Sequence, residues 1–104
     1  MLNICDFQKM NQLEKIAITK HGKDRMEERG ISTDDVISGI DTGEIIIQYE
    51  DDRPLPSCLV LGKSQQGKMI HLVLSHDEEF IYLIRAYFPD AQIWSTDFRT
   101  RRER

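Results

Sequence analysis

The sequence has few cysteines and no long apolar run. Cys5 and Cys58 are its only cysteines, and their spacing matches neither a zinc site nor a redox motif. We therefore expect reduced thiols and a cytoplasmic location. No apolar stretch approaches the roughly 18 residues of a membrane-spanning helix. The N-terminal residues contain no basic region followed by an apolar segment, so we expect no signal peptide and no contact with a membrane.

Signature motifs of several large enzyme classes are also missing. The sequence contains no P-loop, GxGxxG, GxSxG or HExxH motif, which argues against the common nucleotide-binding, serine-hydrolase and zinc-protease sites. His76 is followed by Asp77 and Glu78, but this spacing is not that of a known metal site. We therefore expect neither a metal nor a cofactor.

The composition is that of a folded, soluble protein. The chain has 104 residues, of which 39% are apolar and 31% charged, so we expect a single domain over residues 1–104. The net charge of −4 argues against a protein that coats nucleic acid through charge alone. Arginines nevertheless concentrate in the C-terminal "FRTRRER", and a small basic surface remains compatible with the acidic total.

The first 43 residues carry helical patterns. Apolar residues at positions 7, 10, 13 and 17 predict an N-terminal helical extension over residues 1–17, with Asp6 as its cap. Thr19 is suited to cap a second helix that ends near Arg29, before Gly30. Ser32 and Asp35 form a capping-box pattern that predicts a third helix, which ends near residue 43.

The remainder of the chain is rich in β-branched residues. The segments "EIIIQYE", "CLVLGKS", "KMIHLVLSH" and "FIYLIRAYF" each have the composition of a strand, and turn residues separate the last three. The sequence therefore predicts an α+β fold in which N-terminal helices pack on one face of a roughly four-stranded antiparallel sheet.

Strand alternation assigns each side chain to a face of that sheet. The simplest assignment places Ile70, Leu72, Leu74 and Ile84 beneath the helices. The opposite, open face would then carry three polar side chains on adjacent strands, which are those of His71, Arg85 and Tyr87.

A second set of cationic residues lies on the predicted second helix. His21, Arg25 and Arg29 are four residues apart, so successive members are displaced by only about 40° around the helix. Met26 marks the buried direction, and the row borders that direction. Either the row meets an anion, or the arginine stems cover apolar surface while their heads pair with acids such as Glu28.

The segment "HGKDRMEERGIS" resembles the H-x-x-x-R-M-x-x-R-G-I signature of a small bacterial group, domain-of-unknown-function family 4258. The similarity continues through "DDRPLPSCLVLG", "IHLVL", "RAYFPD", a tryptophan and "FRTRR", so that a family-like domain spans residues 18–102. The helix and strand pattern is similar to that of RelE-like toxins, which are mostly metal-independent ribonucleases.

The resemblance implies the toxin of a type II toxin–antitoxin pair, which cleaves mRNA. The cognate antitoxin is expected to have a zinc-finger or helix-turn-helix build. Such cleavage requires a base, an acid and cations around the phosphate. Histidine suits both proton-transfer roles, arginine binds phosphate, and tyrosine can donate a hydrogen bond or stack on a base. The implied catalytic residues are His71, Arg85, Tyr87, His21 and Arg25, and the implied substrate-binding residues are Arg29, Arg53, Arg99 and Arg101.

A non-catalytic protein-binding module with the same fold is the alternative function. In that case the helix row would clamp an acidic partner peptide or brace the fold. Complete internal pairing of His71 and Arg85 would favour this alternative.

Overall fold

Three helices lie on one face of a five-stranded sheet in the computed structural model, which describes residues 1–101. The helices are α1 (Ile4–Lys9), α2 (Lys20–Glu28) and α3 (Thr33–Asp41), and a 3-10 turn spans Leu13–Lys15. The strands are β1 (Ile16–Ile18), β2 (Glu44–Tyr49), β3 (Ser57–Lys63), β4 (Met69–His76) and β5 (Ile81–Tyr87). The predicted α+β class and the one-sided helix packing are therefore confirmed.

The helix boundaries follow the capping residues. The Thr19 hydroxyl accepts a hydrogen bond from the Gly22 amide, and Ser32 and Asp35 form a complete reciprocal capping box. Gly30 has a φ of 71°, the left-handed conformation that glycine adopts without steric cost. The predictions for α2 and α3 are confirmed to within a residue or two at each end.

The predicted N-terminal helix is present, but the helical extension does not reach residue 17. Helix α1 covers only six residues, and its cap is Asn3 rather than Asp6. Ala17 lies in β1, a three-residue strand that pairs in parallel with β5. Helical spacing of apolar residues cannot reveal such pairing, because the partner strand is more than 60 residues away in the sequence.

The sheet order is β1-β5-β4-β3-β2, with every pair except β1–β5 antiparallel. The predicted antiparallel four-stranded part is thus present, and β1 extends it into a mixed sheet. The hydrophobic core between sheet and helices includes Phe7 from the N-terminal segment together with Met26, Ile70, Leu72 and Leu74.

A bulge in β5 changes which residues face the core. The register with β4 shifts so that Leu83 is opposite Leu74 while Arg85 is opposite Val73. Ile84 is the extra residue, and it is 49% exposed instead of lying beneath the helices as predicted. Leu83 and Ala86 point to the core in its place. A bulge inserts one extra residue into a strand. A strict two-residue alternation therefore cannot assign the side chains on both sides of the bulge to the correct face of the sheet.

None of the helices within residues 1–101 is long and apolar enough to cross a membrane.

Candidate functional site

Helix α2 lies beside the part of β5 that β1 leaves uncovered. The parallel pairing of β1 with β5 ends at Leu83, because Thr19 turns the chain into α2 one residue after β1 ends. The bulge then presents Ile84 and Arg85 next to the helix. Side chains from one face of α2 and from the free edge of β5 therefore meet across a groove.

The groove is a cleft of about 290 Å³ whose charged and titratable side chains are all basic. We call it the cationic cleft. Its lining contains one imidazole and three guanidiniums, and no carboxylate. The basic residues are His21, Arg25, Arg29 and Arg85. Thr19, Met26 and Leu83 supply part of the remaining wall. The structure thus brings the predicted helix row and one member of the predicted strand set to a single surface.

The three guanidiniums differ in their internal contacts. Arg29 is half-buried and donates a hydrogen bond of 2.9 Å to the Ala86 carbonyl, which lies on the free edge of β5. Arg25 and Arg85 are exposed, and neither forms an ion pair within residues 1–101. Arg29 therefore braces the part of β5 that β1 leaves uncovered as well as lining the cleft, whereas Arg25 and Arg85 can turn their full charge to a ligand.

His71 lies on the open face of the sheet as predicted, but it is fully buried. Its Nε2 is 2.8 Å from the Phe98 carbonyl oxygen, and its Nδ1 is 3.2 Å from the Tyr87 hydroxyl. The carbonyl can only accept, so Nε2 carries the proton. In the neutral ring Nδ1 then accepts from the Tyr87 hydroxyl. Both ring nitrogens are committed to internal partners.

The electrostatics of His71 agree with a neutral ring. Burial lowers the pKa of His71 below its ordinary value of 6.5, against the opposing effect of the hydrogen bond to the Phe98 carbonyl. Trp94 packs against the ring edge-to-face, with centroids 4.5 Å apart. Burial also raises the pKa of Tyr87, although the Arg85 charge opposes that rise. His71 therefore positions Tyr87 and anchors the C-terminal segment, without an accessible nitrogen for proton transfer.

The remaining arginines named from the sequence lie in different places. Arg53 is exposed in the loop before β3 and donates hydrogen bonds to the Asp51 and Asp52 carbonyls. Arg99 forms an ion pair with Glu44. The hydrogen bond from Arg99 is the main reason that the pKa of Glu44 is lowered. Arg101 lies over the Trp94 ring, 5.9 Å from its centroid. Of these three, Arg101 alone lines a cleft together with residues of the predicted strand set.

Several residues around this site were not predicted from the sequence. Trp94 and the Phe98 carbonyl cover His71, and Tyr49 lines the open face near Tyr87. Residues 91–101 contain no strand pattern, and an isolated bridge from Trp94 to Arg101 organises them. Tyr49 could have been proposed from the sequence as a residue near this site, because it is the last residue of the predicted strand segment that became β2.

A family model described as "Domain of unknown function (DUF4258)" matches residues 18–88. The chain belongs to this family. The DUF4258 match covers α2, α3 and strands β2 to β5, and thus both walls of the cationic cleft. The match does not include residues 91–101, which cover His71. The family-like domain was predicted to end at Arg102, which lies outside the described residues. No curated protein and no solved structure matches the chain significantly.

Proposed function

We propose that this DUF4258 protein is the toxin of a bacterial type II toxin–antitoxin pair and cleaves mRNA in the cytoplasm without a metal. The observation that carries the proposal is the cationic cleft, where three guanidiniums and an imidazole meet with no carboxylate in the lining of an otherwise acidic protein. Such a site attracts an anion with several oxygens, and guanidinium forks match phosphate oxygens. An RNA backbone provides these phosphates.

His21 is the residue best suited to move protons in this cleft. It is exposed and lines the cleft together with Arg25 and Arg85, whereas both nitrogens of His71 are bonded internally. Histidine exchanges protons near neutral pH. The proposal therefore assigns the general-base role to His21 and gives His71 a positioning role through Tyr87.

The proposed reaction is transesterification within the RNA. His21 accepts the proton of a 2′-hydroxyl, the 2′-oxygen bonds to the adjacent phosphorus, and the bond from phosphorus to the 5′-oxygen breaks. The leaving oxygen takes a proton from water or from protonated His21, and the products are a 2′,3′-cyclic phosphate and a 5′-hydroxyl. Arg25, Arg29 and Arg85 stabilise the negative charge that builds on the phosphate oxygens in the transition state.

The test is RNA cleavage by the purified protein in the presence of a chelator, together with growth arrest on induction. His21→Ala should slow cleavage by roughly 10²- to 10⁴-fold, the usual contribution of a general acid or base. Lys9→Ala, which removes an exposed cation from α1, is the matched control. A well-folded parent protein that neither arrests growth nor cleaves RNA contradicts the proposal.

A non-catalytic protein-binding module is the second candidate. It is favoured by the internal pairing of His71 and by the engagement of Arg29 with the Ala86 carbonyl, which are structural roles. Arg85, the other residue of that criterion, is exposed and has no ion pair among residues 1–101. In this case the cationic cleft would bind an acidic segment of a partner protein. Two measurements together decide between the two candidates: a binding module binds an acidic peptide in the cleft and leaves RNA intact, whereas the toxin cleaves RNA.

A further inference from the structure

A second cleft, of about 340 Å³, lies on the open face of the sheet and shares the lining residue Arg85 with the cationic cleft. We call it the ring cleft. Aromatic side chains and guanidiniums dominate its lining, with Asp90 as its one carboxylate. The main residues are Tyr49, Arg85, Tyr87, Trp94 and Arg101. Strands β2, β4 and β5 form its floor, and the C-terminal segment supplies one wall.

Each of these groups has a flat surface that stacks on a planar ring. Arg101 already lies over the Trp94 ring, and Arg85 lies 5.4 Å from the centroid of the Tyr87 ring. Trp94 is almost buried, whereas Tyr49 and Tyr87 are half-buried and the two guanidiniums are exposed. The cleft therefore offers a planar ligand both apolar faces and positive charge, and sites for single-stranded nucleic acid combine these two features.

Arg85 connects the two clefts, because it is a lining residue of both. Arg85 follows the bulged residue Ile84 and lies opposite Val73 of β4, beyond the part of β5 that pairs with β1. A chain whose phosphates lie in the cationic cleft would thus pass Arg85 and reach the ring cleft without leaving the protein surface.

We propose that the ring cleft binds an unpaired nucleobase of an RNA whose phosphates lie in the cationic cleft, so that the substrate is single-stranded. This inference rests on the RNA binding put forward under Proposed function. A base that stacks in the ring cleft has to leave its own duplex, because a paired base keeps both faces covered by its neighbours. Duplex RNA of the same sequence is therefore excluded from this cleft.

Trp94 provides a direct probe of the ring cleft, since it is the only tryptophan of the chain. The experiment titrates the full-length protein with a short single-stranded oligoribonucleotide whose 2′-hydroxyls are methylated, so that it cannot be cleaved, and follows Trp94 fluorescence. The same strand without its bases and the same strand in a duplex are the comparison ligands. We expect the single strand to change the fluorescence and the other two ligands to leave it unchanged.

The affinities should separate base from phosphate contacts. The strand without bases should bind roughly 5- to 150-fold more weakly, the usual effect of losing one base–aromatic stack. Tyr49→Leu should weaken binding of the single strand by a similar factor, whereas Tyr49→Phe, which keeps the ring, should retain it. Thermal melts of both variants show whether the fold is intact.

Salt dependence distinguishes failure of this inference from failure of RNA binding itself. Arg25→Ala should reduce the slope of log affinity against log salt by about 0.7, the value for one phosphate of a single strand. Tyr49→Leu should leave that slope unchanged. If Arg25→Ala acts as expected while base removal and Tyr49→Leu have no effect, the ring cleft is not a base site and the cationic cleft keeps its proposed role. If the parent protein binds no strand, both proposals fail.

Discussion

At the scale of single residues, two arginines of the same helix row have different structural roles. Arg29 satisfies the Ala86 carbonyl at the free edge of β5, whereas Arg25 is exposed and forms no ion pair within the described range 1–101. Loss of a partner from a buried or half-buried polar group costs about 1–3 kcal/mol, and changes at exposed positions usually stay within about 0.5 kcal/mol.

Arg29→Ala should therefore lower the free energy of unfolding by about 1–3 kcal/mol. Arg25→Ala should change it by no more than about 0.5 kcal/mol. Denaturant unfolding of the two variants beside the parent protein measures both values. Equal stability of all three proteins would mean that the Arg29 hydrogen bond does not brace β5, and the row would be wholly available for ligand.

His71 gives a residue-scale prediction about pH. Its folded pKa lies below 6.5, mainly because of burial, so on acidification the unfolded chain takes up a proton that the folded protein refuses. The contribution of His71 to stability is therefore complete above pH 6.5 and is lost as pH falls from 6.5 through the lower folded value. Carboxyls with a lowered pKa, including Asp35 and Asp77, act only at more acidic pH, since their ordinary value is 3.8.

The free energy of unfolding of the parent protein should thus decrease when the pH is lowered below 6.5, and His71→Gln should show a weaker decrease over the same interval. Denaturant unfolding at a series of pH values on both sides of 6.5 measures this difference. A parent protein and a variant with parallel pH profiles would show that His71 titrates alike in the folded and unfolded states.

At the scale of secondary-structure elements, helix α3 and strand β3 approach each other through two glycines. A Cβ added at Gly62 would lie 2.0 Å from the Gly39 carbonyl oxygen, whereas one added at Gly39 would lie 2.8 Å from a methyl carbon of Leu72. The first contact is with backbone, which cannot yield without displacement of α3. The second is with the end of a side chain that can rotate.

Gly62→Ala should therefore destabilise the protein by about 1–3 kcal/mol or more through overpacking. Gly39→Ala should cost less, because alanine is favoured over glycine in a helix by about 1 kcal/mol, which offsets part of the crowding. Thermal denaturation of the two variants compares them. If Gly39→Ala proves the more damaging, the close approach of α3 to β3 does not limit side-chain size at Gly62.

The elements that local signals specify could be predicted from the sequence, and those that depend on distant pairing could not. The capping pair Ser32 and Asp35 and the turn around Gly67 are local, and both are found. The bulge at Ile84 and strand β1 depend on the register of β5 with its neighbours. The same holds for the candidate site. The alternation of β4 predicted that His71 lies on the open face of the sheet. Its burial could not be predicted, because residues 91–101, which cover it, have no periodic pattern.

At the scale of the whole molecule, the N-terminal segment is part of the core rather than an appendage. The family match begins at residue 18, yet Phe7 is fully buried and packs edge-to-face on His76, with ring centroids 4.8 Å apart. Leu13, from the same segment, is 60% exposed. The two residues therefore form a matched pair of apolar side chains with opposite burial.

Phe7→Ala should lower the free energy of unfolding by about 3–5 kcal/mol, since it combines lost burial with a cavity that the surrounding helices fill only partly. Leu13→Ala should stay within about 0.5 kcal/mol of the parent protein. Domains of this size have only about 5–15 kcal/mol of stability, so Phe7→Ala would remove a large share of it. Denaturant midpoints measured side by side test the pair. Should Phe7→Ala unfold at the midpoint of the parent, the Phe7 ring does not contribute to the stability of the core.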